Sequence, residues 1–280
     1  MLDAGTGSGI LAFLAHKQGA AEVIGVDRLF LHLARDLAEE NGLSDEVTFI
    51  EHDLYDTEIP GVSGKFDTLL AFMYMNHIIL DAERSKLILS LKERYLKKGG
   101  QITPNKVRYK ATLCYLPERD LATQTEDMRR SQDVLECTYD LTFKSLIESS
   151  IRQIPPNTAR PNYNGHYAWW PGNGMAAARF DRSGGMRLLS ETSDFYLVDY
   201  NDPETVHGCY PETLALNVIS DGPANGVIWS QELLHDDIAI WTTESFSPLS
   251  RGHSVKAGDR LEIDTGQRWF DTHILNIISS

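Results

Sequence analysis

The chain has 280 residues, 42% of them hydrophobic, enough for a sizeable core and for two domains. Lys and Arg total 26 against 40 Asp and Glu, a net charge of -14, which argues against general binding along a phosphate backbone and reads as a solvated acidic surface that also suits a cationic substrate. Cys114, Cys137 and Cys209 show no C-x-x-C spacing, so neither a disulfide framework nor a metal site is expected, and with no signal pattern and no apolar run of about 18 residues the chain reads as soluble and cytoplasmic.

Residues 1 to about 100 alternate strand-like and helix-like stretches, the pattern of a parallel sheet with crossover helices. Only Met1 and Leu2 come before the glycine-rich turn Asp3-Ala4-Gly5-Thr6-Gly7-Ser8-Gly9, leaving Met1-Leu2-Asp3 for a strand. A strand of about five residues is expected there, so the chain reads as shortened upstream. "ILAFLAHKQGA" has helical apolar spacing, and Gly19 suits its C-cap. "EVIGVD" is a short apolar strand, "RLFLHLARDLAEENGL" an amphipathic helix ending near Asn41-Gly42, and "EVTFIEHDL" and "FDTLLAFMY" are strands. "DAERSKLILSLKERYLKKGG" reads as a helix with Asp81 as N-cap and Gly99 as its stop.

The rhythm changes near Pro104. Beyond it come "KVRYKATLCYL", "DFYLVDY", "TLALNVI", "GVIWSQELL", "DIAIWTTE" and "DRLEID", separated by Gly, Pro, Asn and Asp turns. They predict an antiparallel β-domain, a barrel or sandwich. Residues 118 to about 150 are polar and partly helical, and "IPPNTARPNYNGHYAWWPGNG" is a Pro/Gly/Asn-rich excursion. His235-Asp236-Asp237 reads as a hairpin turn rather than a metal set. The expected division is 1–104 for the parallel-sheet domain and 105–280 for the β-domain, with an arm inserted at about 152–190.

A strand, a glycine turn and a helix present backbone N–H groups at the helix start, and glycines let a ligand approach the main chain. The dinucleotide pattern G-x-G-x-x-G fits Gly5 and Gly7 but fails at Ile10. The spacing Asp3-x-Gly5-x-Gly7-x-Gly9 instead resembles motif I of class I S-adenosylmethionine methyltransferases. That resemblance implies that Asp3, Gly5, Thr6, Gly7 and Gly9 wrap the amino-acid end of S-adenosyl-L-methionine. Asp27, at the end of the next strand with Arg28 after it, is the acid for the ribose hydroxyls. Asp53 closes the third strand, against the adenine amino group, with Leu54 beside the ring. Each acid alone also reads as a strand-end turn residue.

"KERYLKKGGQITPNKVRYKATL", "TTESFSP" and "HSVKAGDRLEI" resemble the crossover and barrel strands of protein arginine methyltransferases. The resemblance implies a Rossmann-like α/β domain followed by a β-barrel, and an arm that joins two subunits, to which Trp169 and Trp170 would contribute. It also implies two glutamates that grip a guanidinium. Here Phe72 falls at the first and Asp81 near the second, and the barrel's threonine-histidine-tryptophan loop is missing. The stretch from Met73 to His77 makes a softer, more aromatic wall, suited to a small neutral or aromatic acceptor. His77 reads as a general base or as a loop histidine bonded to backbone. Asp81 reads as an acceptor ligand or a helix cap, and Tyr74 as an acceptor-orienting group or as packing. The expected activity is methyl transfer to a small-molecule or protein acceptor. The alternatives are a catalytically inactive scaffold or regulatory partner, and a genuine arginine methyltransferase.

Overall fold

A computed structural model describes residues 1–56, 58–74, 78–115, 121–145, 147–148, 186–208, 211–264 and 277–279. Most of the arm expected at 152–190, with Trp169 and Trp170, lies outside the described residues, as does His77.

The first half is a five-stranded parallel sheet in the order β3-β2-β1-β4-β5. Its strands are β1 (Leu2–Ala4), β2 (Ile24–Asp27), β3 (Thr48–Glu51), β4 (Phe66–Leu70) and β5 (Leu96–Thr103). The shortest strand, β1, is central, in register with Ile24–Val26 on one side and with Leu69–Leu70 on the other. All three of its residues are buried, as expected for a strand covered on both faces. Helix α1 (Ile10–Lys17) buries Ala12 and Phe13, and Phe13 meets Phe49 of β3 edge-on at 5.7 Å. Helix α2 (Leu31–Glu40) buries Leu31, Ala34, Leu37 and Ala38, one apolar stripe at helical spacing.

Helix α3 (Ile78–Tyr95) departs from its sequence reading at both ends. It starts three residues before Asp81, so Asp81 lies in its first turn and is not its N-cap. It stops at Tyr95, and Gly99 is inside strand β5 rather than closing the helix. The pull is tertiary: β5 pairs with β4 from Phe66↔Leu96 and resumes at Thr68↔Gln101, so the intervening residues bulge. Gly99 takes a φ of 82° there, and a Cβ on Gly100 would lie 2.9 Å from the Asp67 carbonyl. The Gly-Gly pair serves the bulge.

The second half is antiparallel. Strands β6 (Lys106–Tyr115), β7 (Arg187–Leu188), β10 (Gly222–His235) and β11 (Ile238–Val255) run β11-β10-β6-β7, and β8 (Ser193–Asp199) also pairs with β6. A second sheet joins β9 (Thr213–Asn217), β12 (Arg260–Asp264) and β13 (Ile277–Ser279). Leu113, Leu189, Leu216, Val227 and Leu261 form their shared, barrel-like core. Helix α4 (Leu121–Tyr139) leads to Leu141, Phe143 and Ile147, which pack on Ile10 and Leu14 of α1. A short helix α5 (Pro203–His207) follows β8.

The two halves share one core, in which Leu69, Ile88 and Ile102 cluster with Val107, Tyr200 and Leu233. A polar clasp adds to it. The β10–β11 hairpin turns through Asp236 and Asp237, with His235 opposite Ile238 and Asp236 at a φ of 55°, the two-residue turn expected from the sequence. Asn105 Nδ2 donates to Asp236 Oδ1 at 2.8 Å, and the Asp236 N–H donates to Asn105 Oδ1 at 2.8 Å. Asn105 is buried while Asp236 is exposed, so both bonds are partly shielded from water. Asn105→Ala should lower the unfolding free energy by about 1–2 kcal/mol in urea melts. A midpoint unchanged within error would show that the clasp carries no stability.

Candidate functional site

At the carboxyl ends of β1, β2 and β3 lies a cavity of about 460 Å³, lined by Gly5, Gly7, Asp27, Arg28, His52, Asp53, Leu54, Phe72, Met73, Tyr74 and Arg84, among others. Its size falls within the range of small-molecule sites, and its place is where parallel α/β sheets bind ligands.

The glycine turn forms one edge. Gly5, Gly7 and Gly9 all have positive φ (75°, 56° and 79°). Their surroundings differ. A Cβ on Gly5 would sit 2.5 Å from Met73 Cγ, and one on Gly9 would sit 2.8 Å from Phe49 Cζ. At those two positions a side chain would collide with protein, though Gly5 still lines the cavity. Gly7 faces open space, with nothing within 4 Å of such a Cβ.

β2 holds the turn in place. The Val26 carbonyl accepts from both Gly5 N (2.8 Å) and Thr6 N (3.0 Å). The Asp27 carboxylate accepts from Gly7 N through Oδ2 (2.9 Å) and from Leu29 N through Oδ1 (3.0 Å). Each oxygen keeps accepting capacity for a ligand donor. Asp53 accepts from Tyr55 N (3.0 Å) and from Arg28 Nη1 (2.7 Å). The Tyr55 N–H and then Arg28 hold its carboxyl below the ordinary value, against a smaller effect of desolvation.

Three residues expected at the ligand are not on the wall. Asp3 is 1% exposed and accepts from Thr6 Oγ1 at 2.7 Å, and Thr6 is itself buried. With Gly9 packed on Phe49, these three shape the turn from behind. Burial pushes the Asp3 carboxyl up to about 6, assisted by the Asp27 charge and opposed by the Thr6 hydrogen bond.

Of the expected catalytic residues, Tyr74 lines the cavity, but its hydroxyl is hydrogen-bonded to that of Tyr200. Burial first, then Tyr200, raises it far above the ordinary phenol range. Tyr200 in turn donates to Ser85 Oγ at 3.2 Å. Asp81 is fully buried and is not among the cavity's lining residues. Its Oδ2 accepts from Gln231 Nε2 at 2.7 Å, and Gln231 also donates to the Tyr109 hydroxyl at 3.2 Å. The second-half strands thus reach under α3 and engage the residues expected to face an acceptor. Sequence reasoning missed His52 and Arg84, both on the wall. Each carries a buried nitrogen without a hydrogen-bond partner, Nε2 and Nη1 respectively. The available signals were that His52 adjoins Asp53 and that Arg84 follows Asp81 by one turn of a helix.

Comparison with known proteins follows this geometry. Residues 1–100 match the family model described as "Methyltransferase domain". Protein arginine N-methyltransferase 1 of Saccharomyces cerevisiae is 36% identical over 107 residues, covering 38% of this chain and 30% of that protein. Ribosomal protein L11 methyltransferase of Deinococcus radiodurans is 41% identical over 87 residues, covering 30% of this chain and 32% of that protein. Both matches span less than a third of the relative's own length. Among solved structures, the Trypanosoma brucei PRMT1 enzyme-prozyme heterotetrameric complex with AdoHcy superposes with a TM-score of 0.56 at 14% identity, covering 99% of this chain and 81% of that one. Arabidopsis thaliana protein arginine methyltransferase 10 gives 0.51 at 18% identity, covering 94% and 77%. Residues 1–100 are thus similar to methyltransferase domains. They are related to the domain of protein arginine methyltransferases, and the whole chain shares their two-part fold.

Asp3 supplies a pH test of the turn. Its folded value lies above the ordinary 3.8, so the folded state holds a proton that the unfolded chain releases between about pH 4 and 6. Its contribution therefore favours folding below that window and is lost as pH rises through it. Asp3→Asn should gain melting temperature relative to the parent more at pH 7 than at pH 4. An equal difference at both pH values would contradict the raised value.

Proposed function

We propose that this chain binds S-adenosyl-L-methionine in the cavity and transfers its methyl group to an acceptor other than an arginine side chain. The observation that carries the reading is the convergence of Gly7, Asp27 and Asp53 on one cavity at the rim of a parallel sheet. The residues present fit the cofactor. Gly7 leaves room against the main chain, two acids stand at successive strand ends, Leu54 offers an apolar face, and His52 Nε2 is a buried polar atom still without a partner.

When bound, S-adenosyl-L-methionine supplies a methyl on a sulfonium sulfur, and that sulfur departs with the electron pair of the broken S–C bond. The chain's own residues supply alignment. Asp27 would accept hydrogen bonds from the ribose hydroxyls, and its bond from Gly7 N fixes the turn beside it. Asp53 and Leu54 take the adenine, with Arg28 orienting the Asp53 carboxylate. Asp3, Thr6 and Gly9 act on the turn from within. Phe72, Met73 and Tyr74 form the acceptor wall. Tyr74, with its raised hydroxyl value, holds its proton at neutral pH and serves as a donor or packing surface rather than as a base. His77 stays a candidate for that base.

Arginine chemistry is the weaker reading. A guanidinium is protonated below about pH 12 and needs paired carboxylates to direct its charge. Phe72 stands at the first of those positions, and Asp81 is buried against Gln231. A homodimer through the 152–190 arm, in the cytoplasm, belongs to the same proposal; the Trypanosoma neighbour, a heterotetrameric complex, supports assembly in general.

Isothermal titration of the 280-residue chain with S-adenosylhomocysteine should give binding heat. No heat would favour the scaffold reading. Asp27→Ala, which removes both the ribose acceptor and the Gly7 anchor, should abolish that heat, and retained affinity would refute the ribose assignment. A glycine-arginine-rich peptide should remain unmethylated, whereas clean turnover would restore the arginine reading.

A further inference from the structure

We propose that Arg84 binds a carboxylate of the ligand held in this cavity. The inference rests on the donor-site reading above and names the chemistry that the far wall selects. Arg84 lies on α3 one turn after Asp81, on the wall shared with Phe72, Met73, Tyr74 and Leu87. Its side chain is 27% exposed, while Asp81 beneath it is fully buried. Arg84 Nη1 lies 3.6 Å from Asp81 Oδ1, an ion-pair separation too long for a hydrogen bond, and that nitrogen has no hydrogen-bond partner among the described residues. Asp81 is itself held by Gln231. A fixed carboxylate thus orients the guanidinium from below without filling its donors.

A guanidinium keeps its charge at every physiological pH and presents five N–H donors in a rigid fork. Leaving such donors unfilled in a largely apolar wall is unfavourable. The other acids of the cavity already have partners. Asp27 holds two backbone N–H groups, and Asp53 holds Arg28 and the Tyr55 N–H. The Tyr74 hydroxyl is engaged by Tyr200. A ligand carboxylate matches the fork in shape and charge. A guanidinium acceptor would set two like charges together where water screens them poorly. The wall has therefore changed sign relative to one that grips a cation.

The carboxylate comes either from the amino-acid end of the methyl donor or from the acceptor, and two arms of one experiment separate these sources. The first compares S-adenosylhomocysteine with 5′-methylthioadenosine, the same nucleoside without the amino-acid tail, by calorimetry on the parent and on Arg84→Met. The second titrates formate, acetate and benzoate into both proteins saturated with S-adenosylhomocysteine and reads melting temperature. A loss of about tenfold or more for S-adenosylhomocysteine, with methylthioadenosine unchanged, supports the proposal with the donor as the source. Unchanged S-adenosylhomocysteine, with carboxylate stabilisation present in the parent and absent in the variant, supports it with the acceptor as the source. Parent and variant alike in both arms overturn it. Should Arg84→Met fail to fold, Arg84→Gln gives the same readings. A parent that binds no S-adenosylhomocysteine fails the donor-site reading itself, a result distinct from any effect at Arg84.

Discussion

The carboxylate of Asp27 is the constraint on which the site depends. A turn with three glycines in left-handed backbone is entropically unfavourable to order, and β1 before it has only three residues. The neighbouring strand supplies what β1 cannot. Val26 accepts two N–H groups from the turn and Asp27 accepts a third, while the same carboxylate caps the start of the loop to α2 through Leu29. One side chain thereby fixes the floor of the cavity and faces what sits in it. Asp3 has the complementary position: it is sealed inside, and it braces the turn through Thr6.

The second half contributes more than a shared apolar core. Gln231 and Tyr200 reach the underside of α3, where they hold Asp81, Ser85 and Tyr74. Asn105 closes over the hairpin turn at the point where one sheet gives way to the next. The Gln231–Asp81 and Tyr200–Ser85 bonds are buried and the others partly so, and breaking a buried bond costs more than making it contributes. The cavity wall at Tyr74 is accordingly tied to the antiparallel half, and the glycine turn and Asp27 to the parallel half.

The sequence revealed most of the framework. The alternation of apolar strands with amphipathic helices through residue 95, the six long strand runs after Pro104, and the Asp236-Asp237 turn are all local patterns, and local patterns survive folding. The acids at Asp27 and Asp53 were legible because strand ends in a parallel sheet point to a common rim. What escaped was set at a distance. Gly99 looks like a helix stop until β4 offers it a pairing partner and the stop becomes a bulge. Asp81 looks like an acceptor ligand until Gln231, 150 residues away, accounts for it. Gly9 reads as a ligand contact, but Phe49 fills the space beside it and it does not line the cavity. Arg84 carries no motif at all, and only its place on the wall gives it meaning.

Tyr200 directly follows β8 in the barrel-like half, yet its hydroxyl meets the phenol of Tyr74 on the cavity wall. Evolutionary drift confined to those outer strands is thereby coupled to molecular preference inside. A change confined to the second half can thus reshape the Tyr74 wall while leaving the glycine turn and Asp27 untouched.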